Sequence, residues 1–454
     1  MEKNGLAMYS ATMCAAMTAP RVVLMILNKL GEGTAANAIT ARLPIELICL
    51  VISSLSDADD LPATLSACSL VCRSWNEICR PHIFHTVVIG RGRWRWNTDS
   101  RVSVLLPAPH LSEHIHNLSL HIPCIDCLVD CRDPYLVGRF KNLRTLRLEH
   151  GEGGDLHLGM QHGEIAARLQ RYQPPTFSLV PALLAVPCLQ KLTLSGWTFF
   201  DSSNLYPLLE PCSKTLEHLS FEATFIQNDV QGTTTPPCMN ALRSLAFPPL
   251  FHPRIECPHL QTLSIRVEDR EYWVLPPWIP STLRTLTLHA TPRGTIPNLG
   301  EDIRPSDFTL YLYGSCRYSR FVNWARNCIS RLPFPEHLRC LTIDFKVEAT
   351  WSDWSVHIPE RRDYENLSQV LQKLRERCPL ERIDLNVTVN VTLSGDLAAS
   401  DWKDETRRES QRHISEEAQS PLLDIDILHL VYVMNLQRKI GGEVLLAVKW
   451  RKGC

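Results

Sequence analysis

One phrase recurs through most of this chain: an apolar residue, two free positions, an apolar residue, one free position, an apolar residue. It stands at Ile115/Leu118/Leu120, Leu143/Leu146/Leu148, Leu189/Leu192/Leu194, Leu216/Leu219/Phe221, Leu242/Leu245/Phe247, Leu260/Leu263/Ile265, Leu283/Leu286/Leu288, Leu338/Leu341/Ile343 and Leu380/Ile383/Leu385. The first positions lie 28, 46, 27, 26, 18, 23, 55 and 42 residues apart. The two apolar residues that close each copy read as a short strand, since alternate residues share a face. The residue three positions earlier turns into the same core. One short strand cannot bury its own apolar face, so the copies must stack on their neighbours. Several spacings fall near the period of stacked repeats, and the long ones carry insertions.

Composition supports an extensive core. Hydrophobic residues make up 44% of the 454 and charged residues 21%, which excludes a wholly disordered chain. The formal net charge of −1 gives no bulk electrostatic case for nucleic-acid binding. Seventeen cysteines are scattered and odd in number. A disulfide framework is usually short, dense and even, so these thiols point to an intracellular, reducing setting, cytoplasmic and/or nuclear. Residues 6–27 are fairly apolar, but Pro20 and Arg21 interrupt them. Residues 1–40 therefore read as a flexible leader, and no membrane partner is expected.

Between 42 and 85 the pattern changes to that of a helix. Pro44 suits a first turn, Glu46 suits a helix N-terminus, and Leu47, Ile48, Val51, Ile52 and Leu55 form an apolar face. Ser56 to Asp60 is a polar break. A second helix is expected over Pro62–Val71, extended by Arg73–Cys79 and ended by Pro81. Three short helices bury too little surface to be stable alone, so this unit wants a partner.

These residues resemble an F-box. The resemblance rests on Leu43-Pro44-x-Glu46-Leu47-Ile48, then Leu65-x-x-Cys68-Ser69-Leu70-Val71-Cys72-Arg73-x-Trp75, with Pro81-x-x-Phe84-x-x-Val87 trailing as in many fungal F-box proteins. It implies a three-helix domain that binds a Skp-type adaptor and, through it, a cullin–RING ubiquitin ligase. Carried over by motif, the adaptor contacts are Leu43, Pro44, Ile45, Leu47, Ile48, Leu65, Leu70, Val71 and Trp75. Trp75 is the expected anchor, because aromatics dominate interface energetics.

The nine copies in turn resemble leucine-rich repeats with a defect. That family places Asn or Cys three residues after the last apolar position. Here those positions hold Pro123, Gly151, Trp197, Thr224, Leu250, Glu268, Thr291, Lys346 and Thr388. The resemblance thus implies an irregular solenoid with poorly matched turns. Ala166–Tyr172 reads as a helical run in one long gap, and Asp363–Cys378 as a clearer helix presenting Leu367, Val370, Leu371 and Leu374. Residues 289–337, rich in proline and aromatics, read as a loop plus helix capping one face.

The expected fold is α+β: a three-helix F-box, then an irregular leucine-rich-repeat-like α/β solenoid. The expected boundaries are a leader at 1–40, the F-box at 41–88, a linker at 89–110, repeats at 111–395, a charged loop at 396–421 and a C-terminal cap at 422–454. Cys124, Cys127 and Cys131 have metal-like spacing but no second Cys-x-x-Cys, so they read as reduced loop thiols and no metal is expected. Arg91, Arg93, Arg95 and Arg101 alternate with Trp94 and Trp96, as on a charged edge strand. The standard phosphate-loop, nucleophile-elbow and zinc-protease motifs are absent, so no catalytic residue and no cofactor are expected. The expected function is that of a substrate receptor in a Skp–cullin–F-box ubiquitin ligase, with an unidentified target protein on the repeats. The alternative is a repeat scaffold whose helical start is only a cap.

Overall fold

A computed structural model describes residues 45–54, 61–70, 73–89, 109–122, 140–150, 183–199, 205–225, 237–247, 255–267, 278–293, 296, 298–300, 303–315, 318–333, 335–350, 361–393, 425, 428–438 and 444–452. Its contacts divide the chain into two units. One comprises Met1–Gly153 with Thr176–Leu189; the other comprises Gly154–Pro175 with Gln190–Cys454.

The first unit begins with three helices, α1 (Ile45–Ser54), α2 (Leu61–Ser69) and α3 (Arg73–Ile83). The second and third are separate helices rather than one extended helix. Pro81 lies inside the last turn of α3 rather than ending it, and the helix runs on to Ile83. A proline there lacks the N–H that would bond the carbonyl four residues back, and the helix continues for only two more residues. Strand β1 (Thr86–Ile89) follows directly, then a single helical turn, α4 (Pro109–Ser112), β2 (Asn117–Ile122) and β3 (Thr145–His150). These strands pair in parallel, Val87 with Leu118 and Leu118 with Leu146.

The second unit is a strand-rich, open and mostly parallel sheet. Its strands are β4 (Lys191–Phe199), β5 (His218–Phe225), β6 (Ser244–Phe247), β7 (Thr262–Val267), β8 (Thr285–Ala290), β9 (Asp307–Gly314), β10 (Cys340–Thr350), β11 (Arg382–Leu393), β12 (Leu428–Arg438) and β13 (Val444–Lys452). They neighbour one another in chain order. All of these pairs are parallel except β12 with β13. One turn of helix, α5 (Tyr206–Leu209), precedes β5; α6 (Tyr318–Ser330) precedes β10 and α7 (Arg361–Arg377) precedes β11.

Every copy of the repeated phrase ends in one of these strands, and its leading residue is buried. Ile115, Leu143, Leu189, Leu216, Leu242, Leu260 and Leu338 have no exposed surface, and Leu283 and Leu380 are also buried. Register aligns the closing residues into columns. Leu245, Leu263, Leu286, Phe308, Leu341, Ile383 and Leu428 form one; Phe247, Ile265, Leu288, Leu310, Ile343, Leu385 and Leu430 form the next. Each fully buried leucine contributes about 1.5–3 kcal/mol relative to an exposed one. The other face of each strand is half-buried and polar, as alternation requires.

Residues 289–337 are not only a loop and helix. They supply β9, whose Phe308, Leu310 and Leu312 are fully buried, and α6, which buries Phe321, Trp324 and Cys328. The long gap in the repeats therefore holds a tenth parallel strand-forming segment without the phrase: the position three before Phe308 is Pro305. The missing turn residues also have a structural reason in four copies. Trp197, Thr224, Lys346 and Thr388 lie inside β4, β5, β10 and β11, where the strand runs on. The helix expected at 363–378 is α7, which buries Tyr364, Leu367, Leu371 and Leu374. Ala166–Tyr172 and residues 91–101 lie outside the described residues.

A backbone device repeats at the start of the strands. The carbonyls of Gln190, Glu217, Arg243, Gln261, Ser306 and Arg339 each accept two successive N–H groups from the next repeat, and that of Arg284 accepts Asp307. In the first unit the carbonyls of His85 and His116 do the same. This turns each chain into its strand using main-chain groups alone and satisfies donors that a buried turn would otherwise orphan.

Candidate partner-docking surface

The helical trio closes on a small core of its own. Ile48 and Ile52 from α1, Leu65 and Cys68 from α2, and Trp75 and Cys79 from α3 are buried together, with Ile78 and Ile83 packed against them. Burial raises the Cys68 thiol above its ordinary value, and burial plus the neighbouring Cys68 pushes Cys79 up to about 12. Both therefore stay protonated and behave as small apolar groups rather than nucleophiles.

Helix α3 is amphipathic in the ordinary way. Its outer side carries Arg73, Ser74 and Glu77, and Arg73 pairs with Glu77 at 3.1 Å along the helix. Helix α1 is different: only Glu46, Ser53 and Ser54 are polar in Ile45–Ser54. A helix apolar on nearly all sides needs cover on more than one side. Here Ile45 is 57% exposed and Leu50 67%, and Leu70, just past α2, is 84% exposed. Three large aliphatic side chains thus stand uncovered on a unit too small to fold them in.

The structure divides the nine residues singled out in the sequence. Ile45 and Leu70 are exposed. Ile48, Leu65 and Trp75 belong to the trio's own core, where Trp75 keeps only 5% of its surface. The Trp75 indole N–H is buried without a hydrogen-bond partner among the described residues. Leu47 lies on α1, but its side chain is not described; Leu43, Pro44 and Val71 lie outside the described residues. Leu50 is the residue that the sequence reading passed over. Its signal was present, as an apolar residue off the face set by Ile48 and Ile52.

The trio is anchored to the strands that follow it. The Phe84 N–H donates to the Arg80 carbonyl at 3.0 Å, and the next residue, His85, accepts from His116 and Asn117 at 3.1 and 2.9 Å. The His85 and His116 rings stack at 4.8 Å. Burial, then the neighbouring His85, Arg144 and His114, lowers the His116 pKa below its ordinary value.

Cys124, Cys127 and Cys131 lie outside the described residues. Among the described residues no group of three His, Cys, Asp or Glu side chains could hold a metal, and no helix is long and apolar enough to cross a membrane.

The family model for F-box-like domains matches residues 40–89, the span that holds α1, α2, α3 and β1. The chain therefore carries an F-box-like domain, and the uncovered aliphatic side chains lie on it. No curated protein matches the chain.

Proposed function

We propose that this chain is the substrate-receptor subunit of a Skp–cullin–F-box type ubiquitin ligase. The observation that carries the reading is the coincidence of the F-box-like match at 40–89 with uncovered Ile45, Leu50 and Leu70. These residues, with Leu43, Pro44, Leu47 and Val71, would dock on a Skp-type adaptor, and the adaptor would bring the cullin–RING ligase. Core residues Ile48, Leu65 and Trp75 would shape that surface from beneath.

The strand-rich unit would serve as an irregular leucine-rich-repeat domain that presents a target protein. Its buried repeated phrase and its shared carbonyl turns support this. The chain would catalyse nothing itself. It would raise the effective concentration of target lysines near the charged ubiquitin carrier. Unpaired thiols buried as packing groups, such as Cys212 and Cys257, support an intracellular location, cytoplasmic and/or nuclear.

Co-purification with a Skp-type adaptor tests the reading. The wild type should retain the adaptor, and an Ile45→Asp/Leu50→Asp/Leu70→Asp variant should lose it while staying folded. Equal recovery with both, or none with the wild type, defeats the proposal. A second reading, a scaffold whose helices only cap the sheet, draws on the β1–β2 ladder; the same experiment separates the two.

A further inference from the structure

The strand-entry edge of the second unit holds a groove of about 570 Å³. It crosses the turns that lead into β6, β7, β8 and β9. Its lining includes Arg243, Arg284 and Arg304, with His259, Gln261 and Ser306 between them. None of the described residues lining it is acidic. Asp307 accepts the Ser306 hydroxyl at 3.1 Å and does not line the groove.

The contrast along the same edge is informative. Just beyond it, at the heads of β10 and β11, Arg339 meets Glu381 at 3.4 Å, and Arg382 meets Asp384 at 2.9 Å. No carboxylate among the described residues pairs with Arg243, Arg284 or Arg304. In a chain of net charge −1, three guanidinium groups in one concavity with no carboxylate partner among the described residues are a local excess. Guanidinium forks bind carboxylates in bidentate fashion, better than an ammonium would.

Spacing narrows the ligand. Arg243 and Arg284 introduce β6 and β8, two strands apart, and so stand about 10 Å apart along the edge. Cations spread in a row suit a row of single negative charges better than one compact dianion. A polyproline-II segment advances about 3.1 Å per residue with three residues per turn, so carboxylates three residues apart lie on one side at about that interval. We propose that this groove binds an acidic, extended segment of a partner protein, with Asp or Glu at every third position. Within the receptor reading proposed above, which it rests on, the groove is where the target is held.

The test uses the full-length chain and fluorescence anisotropy with three labelled peptides. One carries glutamate at every third position among glycine and serine; the second replaces glutamate with glutamine; the third carries a single phosphoserine instead. The glutamate peptide should bind, weaken as salt rises, and lose at least about tenfold in affinity with Arg243→Ser/Arg284→Ser. An Arg243→Lys/Arg284→Lys variant, which keeps the charge, should recover part of the loss. That pair and the salt titration decide the matter if the serine variant shifts the unfolding midpoint. Equal binding of the glutamine peptide, binding of the phosphoserine peptide alone, no binding of any peptide, or indifference to both variants would overturn the proposal. Adaptor recovery is measured separately: its loss with the groove intact sinks the ligase reading alone, and the reverse sinks the groove alone.

Discussion

The helical trio and the repeat sheet handle apolar surface in opposite ways. In the sheet, each apolar column is covered: Leu245 to Leu428 and Phe247 to Leu430 run from strand to strand almost without exposure. In the trio, six residues close a core while Ile45, Leu50 and Leu70 remain in water. The sheet can add strands until its interior is closed; a three-helix unit has too little volume to do so. Apolar surface thus stays uncovered on the trio, where we propose that a partner docks, whereas the sheet buries its apolar residues and shows charged ones at its strand-entry edge.

The largest blow to that contrast should come from the sheet's interior. Phe345 is fully buried and meets Phe321 edge-on at 5.9 Å. Phe345→Ala should cost about 3–5 kcal/mol of stability in urea unfolding; a loss below about 1 kcal/mol would show a loosely packed interior. Leu50→Asp should do the reverse. It should leave stability within about 0.5 kcal/mol and reduce affinity for a Skp-type adaptor about a hundredfold, close to 3 kcal/mol, read by titration calorimetry.

Trp75 sharpens the line between core and surface. Trp75→Ala should destabilise by about 3–5 kcal/mol in urea unfolding. Trp75→Phe removes a buried N–H that has no partner among the described residues and should stay within about 1.5 kcal/mol of wild type. If Trp75→Ala instead spares stability and abolishes adaptor binding, the residue is an anchor.

The smallest effects are electrostatic and lie on the sheet's polar face. Burial, then the Arg266 guanidinium, lowers the His289 pKa below 6.5. The unfolded chain therefore takes that proton first, so the His289 contribution is present above about 6.5 and lost as pH falls below it. The difference in urea midpoint between wild type and His289→Gln should change sign-consistently in that window. Asp344 has the opposite sign. Burial raises it above 3.8, against the Asn386 hydrogen bond, so its ionised form costs stability at neutral pH. Asp344→Asn should raise the midpoint slightly at pH 7 and not at pH 3.

Much of this architecture is legible in the sequence, because a leucine three positions before an alternating pair has few other places to go. β9 was not, because Pro305 and Ser306 stand where the leading apolar residue is read; only the Phe308/Leu310/Leu312 alternation signalled it. For the trio, sequence separates apolar from polar positions but not core from surface. That is why Trp75 and Leu70, neighbours in one motif, ended on opposite sides of that division. The Arg243, Arg284 and Arg304 groove was beyond reach: these residues are far apart in the chain, and only parallel register brings their turns together.

The shared carbonyl at the head of each strand has one more consequence. Its geometry uses only main-chain atoms, so the fold does not depend on which side chain occupies that position. Gln190, Glu217, Arg243, Gln261, Arg284, Ser306 and Arg339 fill equivalent places with four different residue types, all exposed or half-buried. The strand-entry edge is thus a set of interchangeable slots on a fixed frame. Exchanging a glutamate for an arginine there should rewrite what the edge attracts while leaving the sheet beneath it as stable as before.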